Sequence, residues 1–191
     1  MRYDTTSQRL SAYRRDIVKL RRRMRRLQET IEPESVEDYE LASAKGPVRL
    51  SQLLGDKEYL MVIHNMGAGC RYCTLWADGF NGLYPHLADR AAFVLASPDD
   101  PKKQKKFASA RGWRFPMVSH QGTRFARDMG YEKKGFPLPG VSVFTRRRGK
   151  LVRVSDTGFG PGDDFCALWH LFDLLPKGPD GWQPQYKYPA R

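Results

Sequence analysis

The chain has 191 residues, 40% of them hydrophobic, and a formal net charge of +12. That length fits one domain of ordinary core size plus an extension. No run approaches the roughly 18 apolar residues of a membrane span, and the N-terminus has no apolar signal core, so a soluble, cytoplasmic protein is expected. Three cysteines are too few for a disulfide-stapled secreted domain.

Charge is distributed unevenly. Residues 1–28 hold ten basic and two acidic side chains; residues 29–40 hold six acidic and none basic. Through the basic stretch and just beyond it, Leu10, Tyr13, Ile17, Leu20, Met24, Leu27 and Ile31 recur every three or four residues. That spacing predicts a helix starting near Thr6 or Ser7, with Pro33 just past its end. An N-terminal helical arm over 1–36 and a second domain over 37–191 are therefore expected. The heptad seam fits a homodimer or docking on the body. A parallel self-pair brings Arg9 near Arg14, so the acidic stretch 29–40 is the better neighbour. An arginine-rich nucleic-acid helix is the third reading, but no base-reading motif accompanies the charge.

Next comes a short strand at Pro47–Leu50 and a helical turn at Ser51–Leu54. Tyr59–Asn65 reads as a strand buried on both faces. After the loop Met66–Gly69 the pattern turns helical from Cys70, with Pro85 expected to kink or interrupt it. A second buried strand covers Ala91–Ser97. Pro101–Arg111 reads as a helix with Gly112 as its stop. A short extended piece spans Phe115–Ser119, and a helical turn spans Thr123–Met129. A hairpin joins Val141–Thr145 to Leu151–Ser155, and a closing helix covers Asp163–Leu174. The expected fold is α/β: a thioredoxin-like three-layer arrangement with a central mixed sheet and a long N-terminal amphipathic helix.

Chemistry concentrates at Cys70-Arg71-Tyr72-Cys73. The reactive form of cysteine is the thiolate, and a free thiol titrates near about 8.5. A helix start stabilises an anion at Cys70 through unpaired N–H groups and the helix dipole. The adjacent Arg71 guanidinium adds to this if it turns toward the sulfur. Two intervening residues let the sulfurs close a disulfide, with Cys70 attacking and Cys73 resolving. His64, ending the preceding strand, is the candidate auxiliary base; a structural histidine is the competing reading. Pro139, ahead of Val141, matches the cis-proline that exposes substrate-pairing backbone in thioredoxin-like proteins, and Pro137 competes for that place. The alternative is a non-enzymatic, oligomeric interaction module whose cysteines are structural or bind zinc, with Cys70, Cys73, Cys166 and His170 as ligands. Cys166 otherwise reads as a buried small residue.

The chain resembles the bacterial DUF899 proteins, a thioredoxin-like family of predicted dithiol–disulfide oxidoreductases. The resemblance covers roughly residues 36–178. It is carried by Asp38-Tyr39, Leu50-Ser51-Gln52-Leu53-Leu54-Gly55, His64-Asn65-Met66, Gly69-Cys70, Cys73 and Ala77-Asp78-Gly79-Phe80-Asn81-Gly82. Pro85-His86-Leu87, Gly112-Trp113, Phe115-Pro116, Val118-Ser119, Gly140-Val141-Ser142-Val143-Phe144 and Asp173-Leu174-Leu175-Pro176-Lys177-Gly178 continue it. It implies a disulfide or oxidised thiol as substrate, protein or small molecule, an external thiol reductant and no cofactor. Members often carry Pro-Ser between the cysteines; here Arg71-Tyr72 stands there, which leaves the redox direction open. Arg71, Tyr72, Trp76 and Asp78 are the expected site-shaping residues beside His64 and Pro139. No peroxiredoxin-type active-site sequence surrounds Cys70, so a peroxide is the weaker substrate expectation.

Overall fold

The computed structural model describes residues 2–189. The chain separates into two compact units, one ending at Pro33 and the other beginning at Glu34. The first holds helix α1 (Tyr3–Gln28), which carries the heptad seam and has no buried residue. The second opens with strand β1 (Glu34–Ser35), which pairs with Arg153 and Val152. Three acids of the stretch 29–40 pair with cations of the second unit. Glu34 meets Arg153, Glu37 meets Arg124 and Glu40 meets Arg49.

The second unit is built on an eight-stranded mixed sheet. Its parallel centre is β4 (Leu60–His64), β5 (Ala92–Ser97) and β6 (Met117–Ser119). On one side β9 (Gly140–Arg147) runs antiparallel to β4, followed by β10 (Lys150–Gly158) and β1. On the other side β2 (Glu40–Ser43) pairs with β6 and then with β3 (Gly46–Arg49). A separate two-stranded ribbon joins β7 (Glu132–Lys133) to β8 (Phe136–Pro137). The β9–β10 hairpin turns through Arg148 and Gly149, both at positive φ. That is the backbone a two-residue turn needs to match strand twist.

Strand alternation sorts the core into two layers. Leu60, Val62, Val94 and Ala96 pack with Leu50, Leu54, Phe125 and Met129. The last four come from α2 (Leu50–Leu54), α5 (Phe125–Asp128) and the residue after α5. Ile63, Phe93 and Leu95 face the opposite way, against Trp76, Ala77 and Phe80 of α3 (Arg71–Arg90) and Trp169 of α6 (Ala167–Phe172). From α4 (Pro101–Arg111), buried Gln104 donates to the Ser97 hydroxyl and the Val118 carbonyl, both at 2.8 Å. Helices therefore cover both faces of a mixed sheet, as the thioredoxin-like plan requires.

Two expectations are corrected. Pro85 does not interrupt α3, which runs through it to Arg90. A proline at 85 has no N–H to offer the Asn81 carbonyl one turn earlier. The Arg114 guanidinium supplies the missing donor at 3.2 Å. The closing helix is only Ala167–Phe172, because Asp163 turns back to accept from Gly160 and Phe165 N–H groups and holds the chain before it in a loop.

Candidate active site

The dithiol loop follows from three local constraints. Asn65 leaves β4 with its side chain doubling back: Oδ1 accepts from Gly67 N–H at 2.8 Å, and Nδ2 donates to the Cys73 carbonyl at 3.3 Å. Gly67 sits at φ +95°, a region L side chains rarely adopt. A Cβ there would lie 2.8 Å from Asp99 Oδ2, which accepts from Ala68 N–H at 2.6 Å. Asp99, in the β5–α4 connection, thus anchors the loop that delivers Cys70. Gly67→Ala meets both the strained φ and the carboxylate. Its expected cost is about 1–2 kcal/mol, read as a lower urea midpoint, with slowed alkylation of Cys70.

Cys70 is the N-cap of α3, and its sulfur accepts from Cys73 N–H at 3.1 Å. Cys70 is half-buried and Cys73 buried, and both are free thiols. The Cys73 thiol, donating to the Cys70 sulfur, is the largest cause that lowers the Cys70 pKa. Partial burial opposes it, and the Cys73 and Tyr72 N–H groups reinforce it, bringing Cys70 to about 6. Cys73 is pushed far up by giving its proton to that hydrogen bond, by burial and by the neighbouring thiolate. At neutral pH the pair therefore holds one ionised outer sulfur and one protonated inner sulfur. Thr74 fastens the helix start by donating to the Cys70 carbonyl at 3.0 Å.

The expected site-shaping residues divide. Arg71 does not turn to the sulfur; its guanidinium donates to Gln183 Oε1 at 3.3 Å. Donors from Cys73 and Tyr72 lower the thiol pKa instead. Tyr72 packs its ring against Trp76 and Trp169. Trp76 is buried and donates to Asp163 at 3.3 Å. Asp78 takes a bidentate pair from Arg111 and a bond from Trp113 Nε1 at 2.8 Å, tying α3 to the end of α4. Its role is to brace the helix that carries the dithiol.

His64 is not beside the dithiol. It alternates with Ile63 and so points into the layer opposite α3. There it stacks on Tyr131 at 3.8 Å and meets the Ser142 hydroxyl at 2.9 Å. Burial, with the neighbouring His120 and Arg153, holds its pKa well below the usual histidine range. Pro139 is trans: there are no cis peptide bonds among the described residues. The backbone expected to be open around it is used internally. Leu138 N–H donates to Tyr131, and the Pro139 carbonyl accepts from Phe159. The four-residue zinc set is not assembled. Cys166 lies in the core beside Trp76 and Trp169, while exposed His170 pairs with Asp164. Among the described residues no three are grouped to hold a metal ion. Nor is any helix long and apolar enough to cross a membrane.

Asn65, Gly67, Asp99 and Thr74 are the residues sequence reading missed. The Asn-x-Gly step before the dithiol was a usable signal, since an Asn side chain readily caps its own turn.

Comparison with known proteins agrees with this architecture. A putative peroxiredoxin of Mycobacterium tuberculosis is 33% identical over 128 residues, covering 66% of this chain and 75% of the relative. The crystal structure of the peroxidoxin BcpB from Mycobacterium tuberculosis superposes with a TM-score of 0.56 at 30% identity, covering 71% of this chain and 88% of that one. Enterococcus faecalis AhpC, at 15% identity, shares the fold with a TM-score of 0.54 over 69% and 82% of the two chains. The first of these is named a putative peroxiredoxin and the second a peroxidoxin, and they mark the chain as an oxidoreductase. The model of the family DUF899, described as bacterial protein of unknown function, matches residues 5–189, and the chain belongs to that family.

Proposed function

We propose that the chain is a thiol–disulfide oxidoreductase in which Cys70 attacks and Cys73 resolves. The observation that carries this reading is the Cys70 sulfur at the start of α3, accepting from Cys73 and ionised near neutral pH. The Cys70 thiolate attacks one sulfur of a substrate disulfide, breaking its S–S bond and expelling one substrate thiolate. Cys73 then loses its proton and attacks the Cys70 sulfur. The second substrate thiolate leaves, and the Cys70–Cys73 disulfide remains. An external thiol reductant returns the two electrons.

The peroxiredoxin relatives favour a second electrophile at the same sulfur. With a hydroperoxide the thiolate attacks the outer oxygen, the O–O bond breaks, and the alcohol leaves after taking a proton. Cys70 becomes a sulfenic acid, which Cys73 converts to the same disulfide with release of water. The test mixes reduced protein with one equivalent of a small disulfide or of a hydroperoxide under argon. Each arm is expected to end in a Cys70–Cys73 disulfide with Cys166 free, and the faster arm identifies the oxidant. Failure of both reagents to join the pair contradicts the proposal.

A further inference from the structure

The C-terminal segment runs beside the dithiol loop and is fixed at both ends. At one end Trp182 packs edge-on against Phe172 at 5.0 Å and Trp169 at 6.1 Å. Gln183 then takes the Arg71 guanidinium, one residue after Cys70. Pro184 is fully buried. Tyr186 donates its hydroxyl to the Ala68 carbonyl at 3.0 Å, two residues before Cys70. At the far end the Tyr186 carbonyl accepts from Arg111 at 3.0 Å, and its ring meets Phe107 of α4 edge-on. The path from α6 to α4 thus touches residues on either side of Cys70, Ala68 before it and Arg71 after it. The Tyr186 phenol is pushed up mainly by burial, then by the charge of Cys70, which agrees with their proximity.

We propose that Trp182–Tyr186 is a strap across the mouth of the dithiol, latched by Tyr186, that admits low-molecular-weight electrophiles to Cys70 and keeps out disulfides of folded proteins. The inference rests on the redox reading of Cys70 and deepens it by naming its substrate class. Two facts support the size limit. The Ala68 carbonyl, two residues before Cys70, is already taken by Tyr186. The Leu138 N–H and Pro139 carbonyl are taken as well. A protein disulfide must approach with flanking chain, whereas a small disulfide or hydroperoxide brings none.

The test uses full-length protein carrying Cys166→Ser, with Tyr186 intact, Tyr186→Phe or Tyr186→Ala. Cys70 alkylation is followed by mass with iodoacetamide and with a maleimide on a protein-sized polymer. Tyr186→Ala is expected to raise the bulky-reagent rate about tenfold while the iodoacetamide rate changes by less than about threefold. Tyr186→Phe, which loses only the latch, falls between. The same order is expected for exchange with insulin disulfides against hydroxyethyl disulfide. An unchanged size ratio in both variants, or equal acceleration of both reagents, overturns the strap. Alkylation selectivity that shifts while neither a disulfide nor a hydroperoxide joins Cys70 to Cys73 keeps the strap and overturns the redox reading.

Discussion

Cys70→Ser is expected to abolish oxidation of the chain by disulfide and hydroperoxide, a loss on the order of a thousandfold or more. The reason is ionisation. Three donors around position 70 stabilise an anion and together outweigh partial burial: the Cys73 thiol, the Cys73 N–H and the Tyr72 N–H. A serine hydroxyl remains protonated in the same place and has no comparable leaving or accepting sulfur orbital. Cys166→Ser is the matched control. Cys166 is buried in the core and its pKa is raised, chiefly by burial, so little change in rate is expected. Stopped-flow mixing with each oxidant compares the two variants directly. A Cys70→Ser chain that still consumes oxidant while Cys166→Ser does not would transfer the chemistry to the other cysteine.

The second large effect is expected from Cys73→Ala. It removes the largest cause of the low Cys70 pKa but keeps the backbone N–H of residue 73. Cys70 should titrate upward by about one to two units, toward the ordinary thiol near about 8.5. The sign is clear: a thiolate that dominates at pH 7 in the parent falls to half of the population or less. The rate at neutral pH falls less than the thiolate fraction, since a more basic sulfur is a better nucleophile with a Brønsted slope of about 0.4–0.5. The pH midpoint of alkylation is therefore the sharper reading. The variant should also accumulate Cys70 in a mixed disulfide, visible as a mass adduct, because nothing remains to resolve it. An unmoved midpoint would mean that the inner thiol does not hold the outer one ionised.

Much of this site was legible where the chain punctuates itself. The helix Pro101–Arg111 was readable to the residue: Asp100 caps it by accepting from Lys102 and Lys103 N–H groups, and Gly112 ends it at φ +68°. The dithiol at a helix start was readable from the buried strand before it and the helical spacing after it. The side of the sheet on which His64 would fall was not. A strand apolar on both faces carries no polarity to say which face receives α3, and His64 went opposite. Pro85 misled because its local rule holds only until another donor arrives, and Arg114 is 29 residues away. The zinc set failed for a related reason: spacing of Cys166 and His170 within one segment says nothing about its distance from Cys70. The tail was the least legible part. Tyr186 meets Ala68 across 118 residues, and no local pattern marks such a pairing.

The central claim is that two neighbouring sulfurs share one two-electron couple. It is tested most directly by equilibrating the protein in glutathione buffers of stepped potential, quenching by acid and alkylation, and weighing the peptides. The account predicts one reversible transition between about −120 and −270 mV, in which Cys70 and Cys73 lose their alkylation together while Cys166 keeps it. Cys70 and Cys73 changing independently, or a disulfide that includes Cys166, would contradict it.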